Sequence, residues 1–134
     1  MGCKLTFDTI KAKPGDEVIV NLNIKNNPGI MALTISITYD PEALGYRAYY
    51  YGNVFTNYTA AAHPTKKIIR LVISEKKDLT GDGVVASFKF RVADDAKSGM
   101  HEIAIEYGKW DFCNLQLESI FPETVSGGVE VDAT

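Results

Sequence analysis

Few residues in this 134-residue chain have the types and spacing that acid–base, nucleophilic or metal chemistry needs. The histidines are His63 and His101, and neither sits in a metal-ligand or triad-type pattern. His63 precedes Pro64 in a polar stretch and His101 opens an apolar alternation, so both read as surface residues. No G-x-S-x-G, G-x-G-x-x-G or P-loop sequence occurs. Cys3 and Cys113 can bridge only if the fold brings their α-carbons within about 7 Å. With no framework spacing around them, free thiols are the expectation. Carboxylates converging from distant strands remain the one catalytic route left open, and no pattern points to it. The chain is read as a non-enzyme with no cofactor and no metal ligand set of its own.

One segment imitates a calcium loop. Asp78-Leu79-Thr80-Gly81-Asp82-Gly83 puts oxygen ligands at the first, third and fifth positions and glycine at the sixth, as an EF-hand does. The twelfth position, where a bidentate Glu belongs, is Lys89, whose cation repels calcium, and the residues from Val84 onward alternate as a strand. A polar turn entering a strand is the reading. Asn57-Tyr58-Thr59 fits the N-glycosylation pattern, which triplets meet by chance, and is assigned no role. Tyr46, Tyr49, Tyr50 and Tyr51 leave two readings open. Exposed rings stack on sugars and anchor protein interfaces, whereas alternate burial along a strand rim accounts for them equally well.

The elements that must position these groups are strands. Leu5 and Phe7, then Val18 to Ile24, then Leu33 to Tyr39 place apolar residues at every second position. Ile69, Leu71 and Ile73 repeat the pattern, as do Val84, Ala86, Phe88, Phe90 and Val92. Ile103 to Tyr107, Cys113 to Leu117 and Val129 to Val131 complete it. Lys13-Pro14-Gly15-Asp16, Asn26-Asn27-Pro28-Gly29, Asp40-Pro41 and Gly81-Asp82-Gly83 supply turn chemistry between the runs. The strand signal is weak from Asn53 to Lys66, and Asp94-Asp95-Ala96-Lys97 is expected to make one helical turn. Eight or nine short strands without any sustained helical period predict an antiparallel β-sandwich, jelly-roll or immunoglobulin-like, with little or no helix.

Composition narrows the function classes. Hydrophobic residues make up 46% and charged residues 23%, as in an ordinary globular domain able to bury a core. A net charge of −3 lacks the basic excess of a phosphate-backbone binder, so nucleic acid is not expected as a partner. No apolar run approaches the roughly 18 residues of a membrane span, and Met1-Gly2-Cys3-Lys4 is followed by no apolar stretch of the kind a signal peptide shows. If the protein is secreted, this chain is expected to be one piece of a longer one.

Alternation also names the outward residues. With Leu33, Ile35, Ile37 and Tyr39 inward, Ala32, Thr34, Ser36 and Thr38 face out, a flat surface of small side chains. Placing Ile69, Leu71 and Ile73 inward exposes Ile68, Arg70 and Val72. Val85, Ser87 and Lys89 are then the outward set of the following strand. Contiguous apolar residues on a solvent face mark an interaction site.

Several runs, in this order and spacing, resemble a cohesin domain. They are Lys13-Pro14-Gly15-Asp16 with Val18 to Leu22, Gly29 to Leu33 ending in Tyr39-Asp40-Pro41, and Gly81-Asp82-Gly83 through Phe90. Lys97-Ser98-Gly99 and Ser126-Gly127-Gly128-Val129 complete the set. The resemblance runs from about Lys4 to Asp132 and implies a single module over residues 3–133, with Met1 and Gly2 outside it. It implies a nine-stranded jelly-roll sandwich without catalytic activity, a module of bacterial cellulosomal scaffoldins, secreted or displayed at the cell surface. Such a module is a monomer when free and binds the dockerin of an enzyme or another scaffoldin, and the calcium of that interaction belongs to the dockerin.

The family's dockerin-binding sheet consists of its third, fifth, sixth and eighth strands, and the outward sets above are assigned to the first three. Type I members present amide and carboxylate side chains from the third strand, where Ala32 and Thr34 stand here, so the cohesin type is left open. The expected contact is apolar, with Ile68, Val72 and Val85 at its centre and Arg70, Lys89, Asn114 and Gln116 at a polar rim. Ala32, Thr34, Ser36 and Ser87 complete the expected partner-binding set. The rival reading is a carbohydrate-binding module stacking sugars on Tyr46, Tyr49, Tyr50, Tyr51 and Trp110. A third is an adhesin or spacer with no small partner.

Overall fold

A computed structural model describes residues 2–62 and 68–134. Its strands are β1 (Lys4–Phe7), β2 (Thr9–Ala12), β3 (Glu17–Lys25), β4 (Ile30–Thr38), β5 (Leu44–Tyr51), β6 (Tyr58–Ala62), β7 (Ile68–Leu79), β8 (Gly83–Val92), β9 (Gly99–Glu106), β10 (Phe112–Cys113), β11 (Glu123–Val125) and β12 (Gly127–Val131). One sheet runs β11-β1-β3-β8-β5 and the other β2-β12-β9-β4-β7-β6, with β10 also paired to β4. No helix occurs among the described residues, and Asp94-Asp95 closes a turn through Ala96 N–H to Ala93 O at 3.1 Å, without becoming helical.

The eight apolar runs of the sequence become twelve strands because the chain changes sheets twice and two further segments, β5 and β6, also pair. The first run leaves one sheet at Asp8, whose carboxylate accepts from Asn23 Nδ2 at 2.8 Å, and continues in the other as β2. The last run makes the same crossing at Ser126 between β11 and β12. These end segments pair in parallel, β1 with β11 and β2 with β12, within an otherwise antiparallel sandwich. The crossing needs Gly127 and Gly128. A Cβ on Gly127 would lie 2.3 Å from Asp8 O, and one on Gly128 would lie 2.3 Å from His101 O.

The core lies between the sheets and is wholly apolar, with no buried polar or charged residue among those described. Leu22, Phe88 and Phe90 from one sheet face Leu33, Ile35, Ile37, Leu71 and Ile103 from the other, each 0–1% exposed. The strand phases of β3, β4 and β7 follow the alternation of their sequences, because a one-residue slip would drive Arg70 or Asn21 into this interior.

β8 departs from that alternation. Leu22 pairs with Ala86 and Asn23 with Val84, leaving Val85 as the extra residue of a β-bulge. Both Val85 and Ala86 turn inward, and Val85 is completely buried. The tyrosine segment and the weakly patterned stretch after it are strands too, β5 and β6, at the same margin of their respective sheets.

Candidate interaction face

The outer surface of β9-β4-β7-β6 is a flat field of short side chains arranged in rows. Thr34, Val72 and Thr59 form one row across three strands, and Ser36, Arg70 and Ala61 form the next. Glu106 extends the second row on β9, opposite Ser36. Thr38 pairs with Ile68 and with Ala104 in a third row, and Ala32 with Ser74 in a fourth. Hydroxyls and methyl groups on β4 are half-buried because neighbours on both sides shade them. Val72 keeps 40% of its surface exposed, with only threonines directly across from it. Such a surface can exclude water over a broad area without desolvating many charges, which suits it to a rigid protein partner.

The margins of the face are fixed by hydrogen bonds. Glu75 accepts from Thr56 N–H at 3.0 Å, Thr56 Oγ1 at 2.8 Å and Asn57 N–H at 2.8 Å. Asn57 Nδ2 donates to Ser74 O at 2.9 Å, so the asparagine of the glycosylation-like triplet anchors the start of β6 against β7. At the β4 side, Thr34 N–H donates to Asp111 O at 2.8 Å, and β10 pairs Phe112 with Leu33 and Cys113 with Ala32.

Of the expected partner-binding residues, Ala32, Thr34, Ser36, Ile68, Arg70 and Val72 come together on this face. Arg70 stands inside the field rather than at its rim, between Ser36 and Ala61. Val85, Ser87 and Lys89 do not join it. Their strand, β8, belongs to the opposite sheet, and the bulge buries Val85. Ser87 Oγ donates to Asn21 Oδ1 at 2.6 Å and Lys89 lies 3.5 Å from Glu17, both on the far side of the sandwich.

Asn114 and Gln116 occupy a turn instead of an eighth strand. Asn114 Oδ1 accepts from the N–H groups of Gln116 at 3.1 Å and Glu118 at 3.0 Å, an arrangement that competes with strand pairing. The strand beside β4 is β9, with β10 as a two-residue resumption. This turn exposes Leu115 and Leu117, 56% and 75% accessible, which the apolar alternation had assigned to the interior. Leu115 N–H donates to Asp78 Oδ1 at 2.7 Å, tying the turn to the end of β7. The signal for it was Asn114 followed by Glu118, since asparagine accepts hydrogen bonds from backbone two to four residues ahead.

The aromatic set does not assemble a sugar platform. Tyr46 is half-buried against Phe88 and Phe90, with centroids 6.5 and 5.9 Å away, and its hydroxyl pKa is pushed up to about 12 by burial, then by Tyr49 and Tyr39. Tyr50 faces out from the far sheet, whereas Tyr51 stacks on Tyr58 at the sandwich margin. Trp110 is 77% exposed in the turn before β10, with Lys109 Nζ 5.0 Å from its ring centroid.

Asp82 accepts from Asn27 N–H at 3.1 Å, and Asp78 is engaged by Leu115, so the two carboxylates of the calcium-like segment serve different loops. No group of three or more His, Cys, Asp or Glu residues converges among the described residues. Cys3 and Cys113 are both free thiols. His101 is half-buried on β9 with Nε2 2.8 Å from Lys97 O, and His63 lies outside the described residues.

Comparison with known proteins places this architecture. The family model for the cohesin domain matches residues 3–131. A cellulosomal-scaffolding protein B of Acetivibrio thermocellus is 28% identical over 142 residues, which cover 96% of this chain and 18% of that protein. This chain thus spans less than a fifth of that relative's length. The fold matches the cohesin of a type I cohesin–dockerin complex from Clostridium thermocellum with a TM-score of 0.89 and 23% identity, over 98% of this chain and 100% of that one. It matches the seventh ScaB type I cohesin of Pseudobacteroides cellulosolvens with a TM-score of 0.88 and 22% identity, over 99% and 94% of the two chains.

Proposed function

The chain belongs to the cohesin family, and from that premise we propose that it is a non-catalytic module that holds a dockerin on the outer face of β9-β4-β7-β6. The observation that carries the reading is the Thr34-Val72-Thr59 row, an exposed valine set among short side chains on a regular sheet. Rigid strands hold such a face ready, so little conformational entropy is lost on docking. Ala32, Thr34, Ser36, Ile68, Arg70 and Val72 are its contact residues, with Leu115 and Leu117 at the margin. Because β4 offers hydroxyls and a methyl group where type I relatives offer amides and carboxylates, the contact is more apolar than theirs.

The calcium of the interaction is supplied by the dockerin, and the module works outside the cell as part of a longer scaffoldin that recruits enzymes or further scaffoldins. The decisive experiment is a binding screen of this chain against a panel of dockerins, with and without chelator. Capture of at least one dockerin in the nanomolar range, lost on chelation, is expected. Retention on cellulose or other plant polysaccharides without any dockerin capture would overturn the reading in favour of a sugar-binding module.

A further inference from the structure

Among the described residues, Arg70 is the one cationic side chain in these rows of the face. Its cross-strand neighbours are Ser36 and Ala61, and its neighbours along the same face of β7 are Ile68 and Val72. None of these can accept its charge. Arg70 makes no ion pair among the described residues. The carboxylate in register with it belongs to Glu106, two strands away across Ser36 and so about 10 Å off at the α-carbon.

Resting on the dockerin-binding reading above, we propose that Arg70 selects the partner: the cognate dockerin presents an Asp or Glu carboxylate that seats on the Arg70 guanidinium, and dockerins without it are rejected. The argument is one of desolvation. A partner covering the Thr34-Val72-Thr59 row must also cover Arg70, one residue pair further along. A guanidinium stripped of water and left unpaired is strongly unfavourable, whereas its planar fork meets a carboxylate through two parallel hydrogen bonds. Ser36 and Ala61 on either side carry only short side chains, so neither crowds an incoming carboxylate. Discrimination therefore comes as much from the penalty imposed on neutral or basic partners as from the pair itself.

The test is a double-mutant cycle on whichever dockerin the panel screen captures, by calorimetric titration. Arg70→Met keeps the bulk and removes the charge, and each Asp or Glu on the dockerin surface is changed singly to Asn or Gln. Arg70→Met is expected to weaken binding about 100-fold with melting unchanged. One dockerin carboxylate is expected to reproduce that loss against the unchanged chain and to add nothing against Arg70→Met. Glu106→Gln enters the same cycle to measure any coupling within the face, and Glu17→Gln, on the far sheet beside Lys89, serves as the internal control and is expected to leave affinity within about threefold. Undiminished binding by Arg70→Met, or coupling of Arg70 to Glu106 instead of to the dockerin, overturns the proposal while Val72→Asp still weakens capture. If no dockerin is captured at all, the dockerin-binding reading fails and takes this one with it.

Discussion

Tyr51 lies on Tyr58 with ring centroids 4.3 Å apart and planes inclined by 27°, joining β5 of one sheet to β6 of the other. Both strands are at the same open margin of the sandwich, where no strand pairing closes the gap. The Tyr58 hydroxyl accepts from Gly52 N–H at 2.6 Å, while Tyr51 OH donates to Tyr58 O at 3.2 Å. Aromatic contact and hydrogen bonds together clamp the edge strand of the interaction face to the far sheet.

That clamp is testable with Tyr58→Phe. The ring stack survives, and Gly52 N–H loses its acceptor, at a cost of about 1–2 kcal/mol of stability. Urea unfolding monitored by fluorescence checks it. Stability within a few tenths of the unchanged chain would mean that water replaces the hydroxyl and that the stack alone holds the margin.

On β7, adjacent residues are predicted to separate stability from binding. Leu71 is fully buried, so Leu71→Ala opens a cavity and costs about 2–5 kcal/mol of stability. Val72→Asp puts a charge between Thr34 and Thr59 on the outer face and is expected to cost more than about 2 kcal/mol of dockerin affinity. Its effect on stability stays below about 1 kcal/mol, the span of strand propensity. Thermal melts paired with titrations read both, and a Val72→Asp chain that binds normally removes the outer face from the interface.

How far these placements were legible in the sequence depends on what held each residue. The phase of β7 was readable because Ile69, Leu71 and Ile73 flank an arginine that the core cannot accept. Val85 was misplaced because a bulge inserts one residue against Asn23 and Leu22, and Gly83-Val84-Val85-Ala86 carries no signal that says which valine will be extra. β5 and β6 were only partly visible. Their burial is incomplete because they are edge strands, so their patterns lack the strict alternation of β3 and β4. Cys113 to Leu117 looked like a strand, yet the Asn114 side chain captures the backbone N–H groups that a strand would have offered to a neighbour. Arg70 was recognisable as outward, but its central position followed only from the register of β4, β7 and β6.

Alkaline pH should destabilise the fold in a window set by its buried and half-buried tyrosines. The Tyr46 pKa is pushed up to about 12 from an ordinary 10.0, and burial also raises those of Tyr39, Tyr58 and Tyr107. A raised pKa means the folded state holds protons that the unfolded chain gives up, so stability falls as pH rises. The contribution is fully present below pH 10 and is lost as pH climbs toward 12. Melting temperature should be flat from neutral pH to about 9 and then drop, with Tyr46→Phe blunting the fall. An unchanged slope in Tyr46→Phe would assign the loss to other groups.

Gly127 and Gly81 should both lose stability on gaining a methyl group, but by different amounts. Gly127→Ala drives a Cβ against Asp8 O at 2.3 Å and Phe7 O at 2.4 Å, both backbone atoms at the sheet crossing. A loss of about 3 kcal/mol follows, since neither strand can retreat without breaking its pairing. Gly81 has a positive φ of 104° with open space around it, so Gly81→Ala carries backbone strain alone, about 1–2 kcal/mol. Chemical denaturation of both variants ranks them, and equal losses would show that the crossing can shift to accommodate the side chain.

The turn carrying Leu115 and Leu117 is predicted to extend the interaction face, and Leu117→Asp tests this without disturbing the fold. Leu117 is 75% exposed and adopts a φ of 63°, a left-handed conformation that aspartate tolerates better than leucine does. The substitution is therefore expected to leave stability unchanged or raise it by up to about 0.5 kcal/mol. Dockerin affinity should fall about tenfold, because a charge replaces an apolar contact at the margin where water is excluded. Asp78→Ala approaches the same turn from its support. Losing the acceptor for Leu115 N–H frees the turn from the end of β7, costs about 1 kcal/mol of stability, and should weaken binding by slowing productive docking. If Leu117→Asp binds as tightly as the unchanged chain, the interface stops at β4 and the exposed leucines belong to some other contact.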